Sequence, residues 1–132
     1  MPHSVVTVFL MAGLLLGLTP ILAHHASGLY EESAITLKGT VADVKLLNPR
    51  TVVFFDVLDN GKTIRWQGEL FSRTSMTRDF GWAQNTVKVG DKITVTGHRA
   101  KSGAPNIDLT EKATIVLTNT GKELFNAANQ RK

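Results

Sequence analysis

The chain has no cysteine in its 132 residues, only four prolines and a single tyrosine. Without cysteine there is no disulfide, no thiol nucleophile and no Cys-ligated zinc or iron–sulfur site, so packing alone must hold the fold. Charge is missing from the start of the chain: no Lys, Arg, Asp or Glu precedes Glu31. From Glu31 onward, 15 basic and 11 acidic residues give a net charge of +4, but the two signs are interspersed. No polybasic run marks a nucleic-acid-binding tail. A Gly-x-Ser-x-Gly elbow, a phosphate-binding loop and a dinucleotide fingerprint are also lacking. Asp43, Asp56 and Asp79 are scattered, with no pair spaced for acid–base work. These absences argue for a protein that binds rather than catalyses.

What the N-terminus does carry is grease. Val5 to Leu18, "VVTVFLMAGLLLGL", is almost wholly apolar, yet shorter than the roughly 20 residues that span a bilayer. Pro20 breaks the run and Ala23 offers a small side chain at a cleavage point. The pattern predicts a signal peptide over residues 1–23 and a periplasmic protein. The alternative is an uncleaved membrane anchor, because "MPHS" has no Lys or Arg and Ile21 is bulky. Residues 24–34 then read as a flexible segment, 35–125 as one domain and 126–132 as a disordered tail.

From Ile35 onward the period is that of strands. "ITLKGTVADVKLLN" places Leu37, Gly39 and Val41 on one face, then Val44 and Leu46 on the other. A slip of parity in one long strand predicts a bulge near Ala42–Asp43. Asn48-Pro49 predicts a turn. "TVVFFDVL" is apolar on both faces, and "DNGK" at 59–62 is a tight-hairpin signal, since Asn and Gly tolerate positive φ. "TIRWQGEL" puts Ile64, Trp66 and Gly68 inward and Arg65, Gln67 and Glu69 outward. "SRTSMTRDF", residues 72–80, has no alternation and predicts a short helix capped by Ser72 or Thr74 and ended by Gly81. Trp82 is expected to pack back on the strands. A further strand carries Ile93, Val95 and Gly97 inward and Thr94, Thr96 and His98 outward. Residues 107–117 supply a last strand or strand pair, and "TNTGKELF" a terminal hairpin. Strand, strand, strand, short helix, strand, strand is the order of a small all-β, five-stranded OB-like barrel with one helix between strands 3 and 4. A β-sandwich of another topology is the runner-up.

Taken together, "AHHASGLYEE", "ITLKGTVADVKLLNP", "IRWQGEL", "DFGW" and "VKVGDKITVTGHRAKSG" resemble the DUF6152 proteins, a family of small exported bacterial proteins of unknown function. The order and spacing of these pieces carry the likeness; no one motif does. It covers essentially the whole chain after residue 23. The resemblance implies a periplasmic address and an OB-like domain, and brings no established activity. Two positions depart from the family pattern. Ala26 stands where a Ser follows the His pair, and Arg50 where a His often follows Asn-Pro. If the family's histidines share a ligand site, this chain has lost one candidate.

Two binding surfaces follow from the residues. Cleavage after Ala23 makes His24 the N-terminus, where its amine and Nδ1 can chelate a metal and His25 can add nitrogen. Such a nitrogen set suits Cu(II). His98 is a further candidate ligand, although a lone histidine on a polar strand face is ordinarily just solvated. Tyr30, Glu31 and Glu32 are further candidates to complete the shell, although nothing in the sequence places them beside the His pair. The second surface is the outward face of Arg65, Gln67 and Glu69, joined by Lys92, Arg50 and Lys45. In an OB fold this face commonly binds ligands. Trp66 reads as core rather than as a stacking platform. An anionic ligand or a protein partner is therefore expected, with no nucleic acid, on a monomer that meets membrane only through an uncleaved leader. Copper handling by His24 and His25 is the alternative function.

Overall fold

The computed structural model describes residues 28–131. The first strand, β1 (Ile35–Lys45), is the longest of the described strands at 11 residues. Its first half, Ile35 to Thr40, pairs antiparallel with β4 (Lys92–Arg99). Its second half, Thr40 to Lys45, pairs with β2 (Val52–Asp59). The register shifts between Val41 and Asp43, where the parity of the sequence slips. One extra residue there lets a single strand serve two sheet neighbours, because a bulge bends the strand and tightens its twist. Strand β2 turns into β3 (Lys62–Glu69) through Asn60 at φ 50° and Gly61 at φ 79°. This is the positive-φ pair that a two-residue hairpin requires.

Helix α1 (Arg73–Phe80) follows β3. Ser72 caps it by accepting from Ser75 N–H at 3.2 Å, and Gly81, left-handed at φ 71°, ends it. Met76 on the helix, fully buried, and Trp82 just after it, 2% exposed, join the core. The indole Nε1 of Trp82 donates to the Leu124 carbonyl at 2.9 Å, so its polar edge is satisfied inside the protein.

Closure comes from β5 (Asn106–Asp108), which runs parallel to β3 and antiparallel to the end of β4. The ring β1–β2–β3–β5–β4 then returns to β1, a closed five-stranded barrel with the helix between strands 3 and 4. The sequence-based expectation holds here. Beyond it, β6 (Thr114–Leu117) continues along the first half of β4, and β7 (Glu123–Asn126) folds back on β6. The expected terminal hairpin is this pair. Val53, Phe55, Ile93, Val95, Ile107 and Ile115 fill the barrel with no exposed surface. Phe71, Phe80, Trp82 and Phe125 form an aromatic cluster with centroids 4.9–6.3 Å apart.

Two segments read from sequence as loose are tied down. Residues 29–32 dock on the end of β4: Tyr30 bridges to Ala100, Glu31 N–H donates to the Arg99 carbonyl, and Lys101 N–H donates to the Leu29 carbonyl. At the other end, a 3-10 turn (Ala127–Asn129) is capped by the Asn126 side chain, and Ala127 is buried. Gln130 Nε2 donates to Ser75 Oγ at 3.3 Å. The polar composition of that tail concealed its anchoring, which uses backbone and capping bonds with Ala127 as its one buried apolar side chain.

Candidate functional site

A cleft of about 680 Å³ opens at one end of the barrel. Several separate segments build it. The strap at 29–32 contributes Tyr30, Glu31 and Glu32, and the β1–β2 turn contributes Arg50. Glu69, His98 and Asp108 come from the last or near-last positions of β3, β4 and β5. The loop between β5 and β6 adds Thr110, Glu111 and Lys112. Strand ends converge there because β5 runs parallel to β3 while β4 runs antiparallel to β5: Glu69 lies opposite Asp108, and Asp108 opposite His98.

At its centre is a three-residue clasp. Tyr30 Oη donates to Glu69 Oε2 at 2.7 Å, and Arg50 Nη1 donates to the same oxygen at 3.0 Å. Burial, then the hydrogen bond to Glu69, pushes the Tyr30 phenol up to about 12. At neutral pH it therefore remains a donor and is no base. Asp108 accepts from the Thr110 hydroxyl at 2.8 Å, which fixes the start of the β5–β6 loop.

His98 departs from the expectation of a solvated side chain. Strand parity does turn it outward, but the strap covers it, and the residue is 8% exposed. Its Nδ1 lies 3.0 Å from the Glu31 carbonyl oxygen. A carbonyl only accepts, so Nδ1 carries a proton and the neutral ring has its lone pair on Nε2. Nε2 has no partner and less than 1 Å² of exposed surface. A buried polar atom without a partner costs about 1–3 kcal/mol.

The other predicted ligand residues do not come together. Arg65 is bound by Asp56, whose carboxylate takes Nε at 2.9 Å and Nη2 at 3.1 Å and is held below its usual range by that bond. Lys92 lies in the same cross-strand row as Arg65 and Asp56, with Thr40 intervening, and lines a shallow cleft with Lys38 and Thr118. Gln67 is exposed opposite Phe54, over whose ring Lys45 Nζ sits at 5.9 Å. Of the predicted set, among the described residues only Arg50, Glu69 and His98 line the large cleft. Trp66 is core, as read, with the Arg99 guanidinium 5.4 Å above its ring. His24 and His25 lie outside the described residues. Sequence reasoning missed Asp108 and Glu111 and the role of Tyr30. The available signal was that "LYEE" precedes the first strand, within reach of a neighbouring strand end.

No curated protein matches the chain. Among solved structures, a ZRD-deleted mutant of TiaS in complex with agmatine shares 19% identity at a TM-score of 0.42, over 70% of this chain and 24% of that one. A complex of TiaS with a transfer RNA and ATP shares 22% at 0.40, over 64% and 18%. The chain thus spans about a quarter or less of those proteins. A family profile matches residues 13–107, most of the sequence, and by that match the chain belongs to the family of unknown function DUF6152.

Proposed function

We propose that the protein is a non-catalytic binding module of the periplasm, and that the cleft at the end of the barrel receives its ligand. One observation carries this reading: Tyr30, Arg50, Glu69, His98 and Asp108, from five separate segments, line a single cavity of about 680 Å³. That volume lies in the range of small-molecule sites. The cleft also suits holding more than chemistry, because the Tyr30 hydroxyl spends its one donor on Glu69 and stays protonated, with Arg50 Nη1 donating to the same oxygen. The apolar leader supports the address. Ligand screening by thermal shift, against acids, amines and sugars, tests the site when run in parallel on the wild type and Arg50→Ala. A ligand that stabilises the two to different extents is the expected result; hits that stabilise both equally overturn the cleft as the site.

Copper handling through His24 and His25 is the second reading. The observation in its favour is His98, whose Nδ1 bonds a backbone carbonyl as metal-ligating histidines usually do. Cu(II) titration of the full chain and of the His24→Ala, His25→Ala double variant tests it; equal affinity removes the idea.

A further inference from the structure

Resting on the cleft as the binding site, we propose that its ligand is an organic cation bearing N–H donors, an aliphatic primary ammonium, bound between the cleft's carboxylates and the bare Nε2 of His98. The charge of the cleft is the opposite of the charge of the chain. Glu31, Glu32, Glu69, Asp108 and Glu111 line it against only Arg50 and Lys112, whereas the whole chain carries +4. Arg50 is committed to Glu69, so the remaining carboxylates face Lys112 alone. A local negative field inside a basic protein selects cations and excludes anions.

His98 adds the second, independent element. Its tautomer is set by the Glu31 carbonyl, which leaves Nε2 as an acceptor with nothing to accept from. A carboxylate ligand cannot supply a proton there at neutral pH, whereas an ammonium can. Nε2 is covered, so a ligand reaches it by displacing the side chains over the ring; once there it gives Nε2 the donor it lacks, while its charge is met by Asp108 and Glu111. Among the described residues no three His, Asp or Glu side chains are grouped to hold a metal ion. An ammonium needs no such grouping, since it brings its own directed donors to separate acceptors.

The test uses the full isotopically labelled chain, titrated with 1,5-diaminopentane, its diol isostere, tetramethylammonium and succinate. Binding of the diamine is expected, with shifts confined to cleft residues and a displaced Nε2 resonance in long-range proton–nitrogen spectra. Tetramethylammonium, which has charge but no N–H, is expected to bind at least tenfold more weakly, and the diol and succinate not measurably. His98→Asn keeps a donor near the position of Nδ1 and deletes the Nε2 acceptor. It should lower diamine affinity at least tenfold with the unfolding midpoint held. Glu111→Gln, at an exposed position, should also weaken it. Succinate binding in the cleft in place of the diamine overturns the cation and leaves the cleft standing. Equal binding of tetramethylammonium, or wild-type affinity in His98→Asn, overturns the role of Nε2. Shifts that fall outside the cleft for every probe overturn both the inference and the site on which it rests.

Discussion

Tyr30 and Glu69 are 39 residues apart in sequence and 2.7 Å apart in the fold, phenol oxygen to carboxylate oxygen. That bond holds the strap against the end of β3 and makes the only tyrosine of the chain a reporter of the cleft. The folded-state value of the phenol, about 12, lies above its ordinary 10.0. Its contribution to stability is therefore complete below pH 10 and is lost as pH rises through about 12. Spectrophotometric titration of the tyrosinate band should give a midpoint near 12, free of overlap from other tyrosines. Tyr30→Phe should lower stability at neutral pH by about 1.5–3 kcal/mol, as a lost bond to a charged acceptor does, and should flatten the alkaline decline. A midpoint of 10 in the native protein would show that the strap is not docked.

Asp79 makes the opposite prediction at the acid end. Its carboxylate, 2% exposed, takes Arg78 Nε at 2.9 Å and the Ser75 hydroxyl at 2.8 Å. Those bonds, that to Arg78 foremost, lower it to about 2 from 3.8. Its stabilisation is present above pH 3.8 and lost as pH falls toward 2. Asp79→Asn should be less stable than wild type at pH 7 and lose less on acidification. The difference between the two unfolding midpoints should therefore narrow as pH falls through that window. A constant difference across it would count against the assignment.

Deleting residues 127–132 measures the terminal turn. The deletion removes the Ala127 N–H bond to the Ala113 carbonyl at 2.9 Å, the Asn126 cap and the Gln130 contact with Ser75. Chemical denaturation should show a loss of about 1–3 kcal/mol, whereas Gln130→Ala alone, with one long bond, should cost under about 1 kcal/mol. Unchanged stability of the truncated chain would mean that the turn contributes nothing to the barrel.

What could be read from the sequence was whatever the strand period and turn chemistry encode locally. The slip between Val41 and Val44 marks the bulge, Asn60-Gly61 the hairpin, and Ser72 and Gly81 the two ends of the helix. The break of the fifth strand into β5 and β6 is tertiary: after Asp108 the chain leaves β4 and Leu109 N–H bonds the Glu69 carbonyl. The cleft is tertiary too. Period-2 alternation assigns His98 to an outer face correctly, but it cannot show that Glu31, 67 residues earlier, closes over that face. Arg65, Gln67 and Glu69 share a face by parity; Asp56 and Tyr30 then divide them by engaging Arg65 and Glu69 separately. Side chains within one strand are legible from sequence, and partners brought from other elements are not.

Gly97 links the barrel's closure to the cleft and gives the sharpest single substitution. It sits in β4 immediately before His98, opposite the seam where β5 completes the ring. A Cβ there would lie 2.5 Å from the Asp108 carbonyl oxygen and 2.8 Å from Leu109 Cδ2. The Leu109 side chain can shift, but the Asp108 carbonyl is main chain in the closing strand, so β4 and β5 must move apart. Overpacking of this kind costs about 1–3 kcal/mol or more. Gly97→Ala should lower the melting temperature by roughly 10 °C, since each kcal/mol is worth about 4–8 °C in a domain of this size. The damage should also be directional. Asp108 and His98 face each other across that seam, so amide exchange should accelerate first in β5 and the end of β4, with the β1–β2–β3 hairpins protected longer. Uniform acceleration over all strands would instead mean that the barrel opens as one unit, with no weak seam beside the cleft.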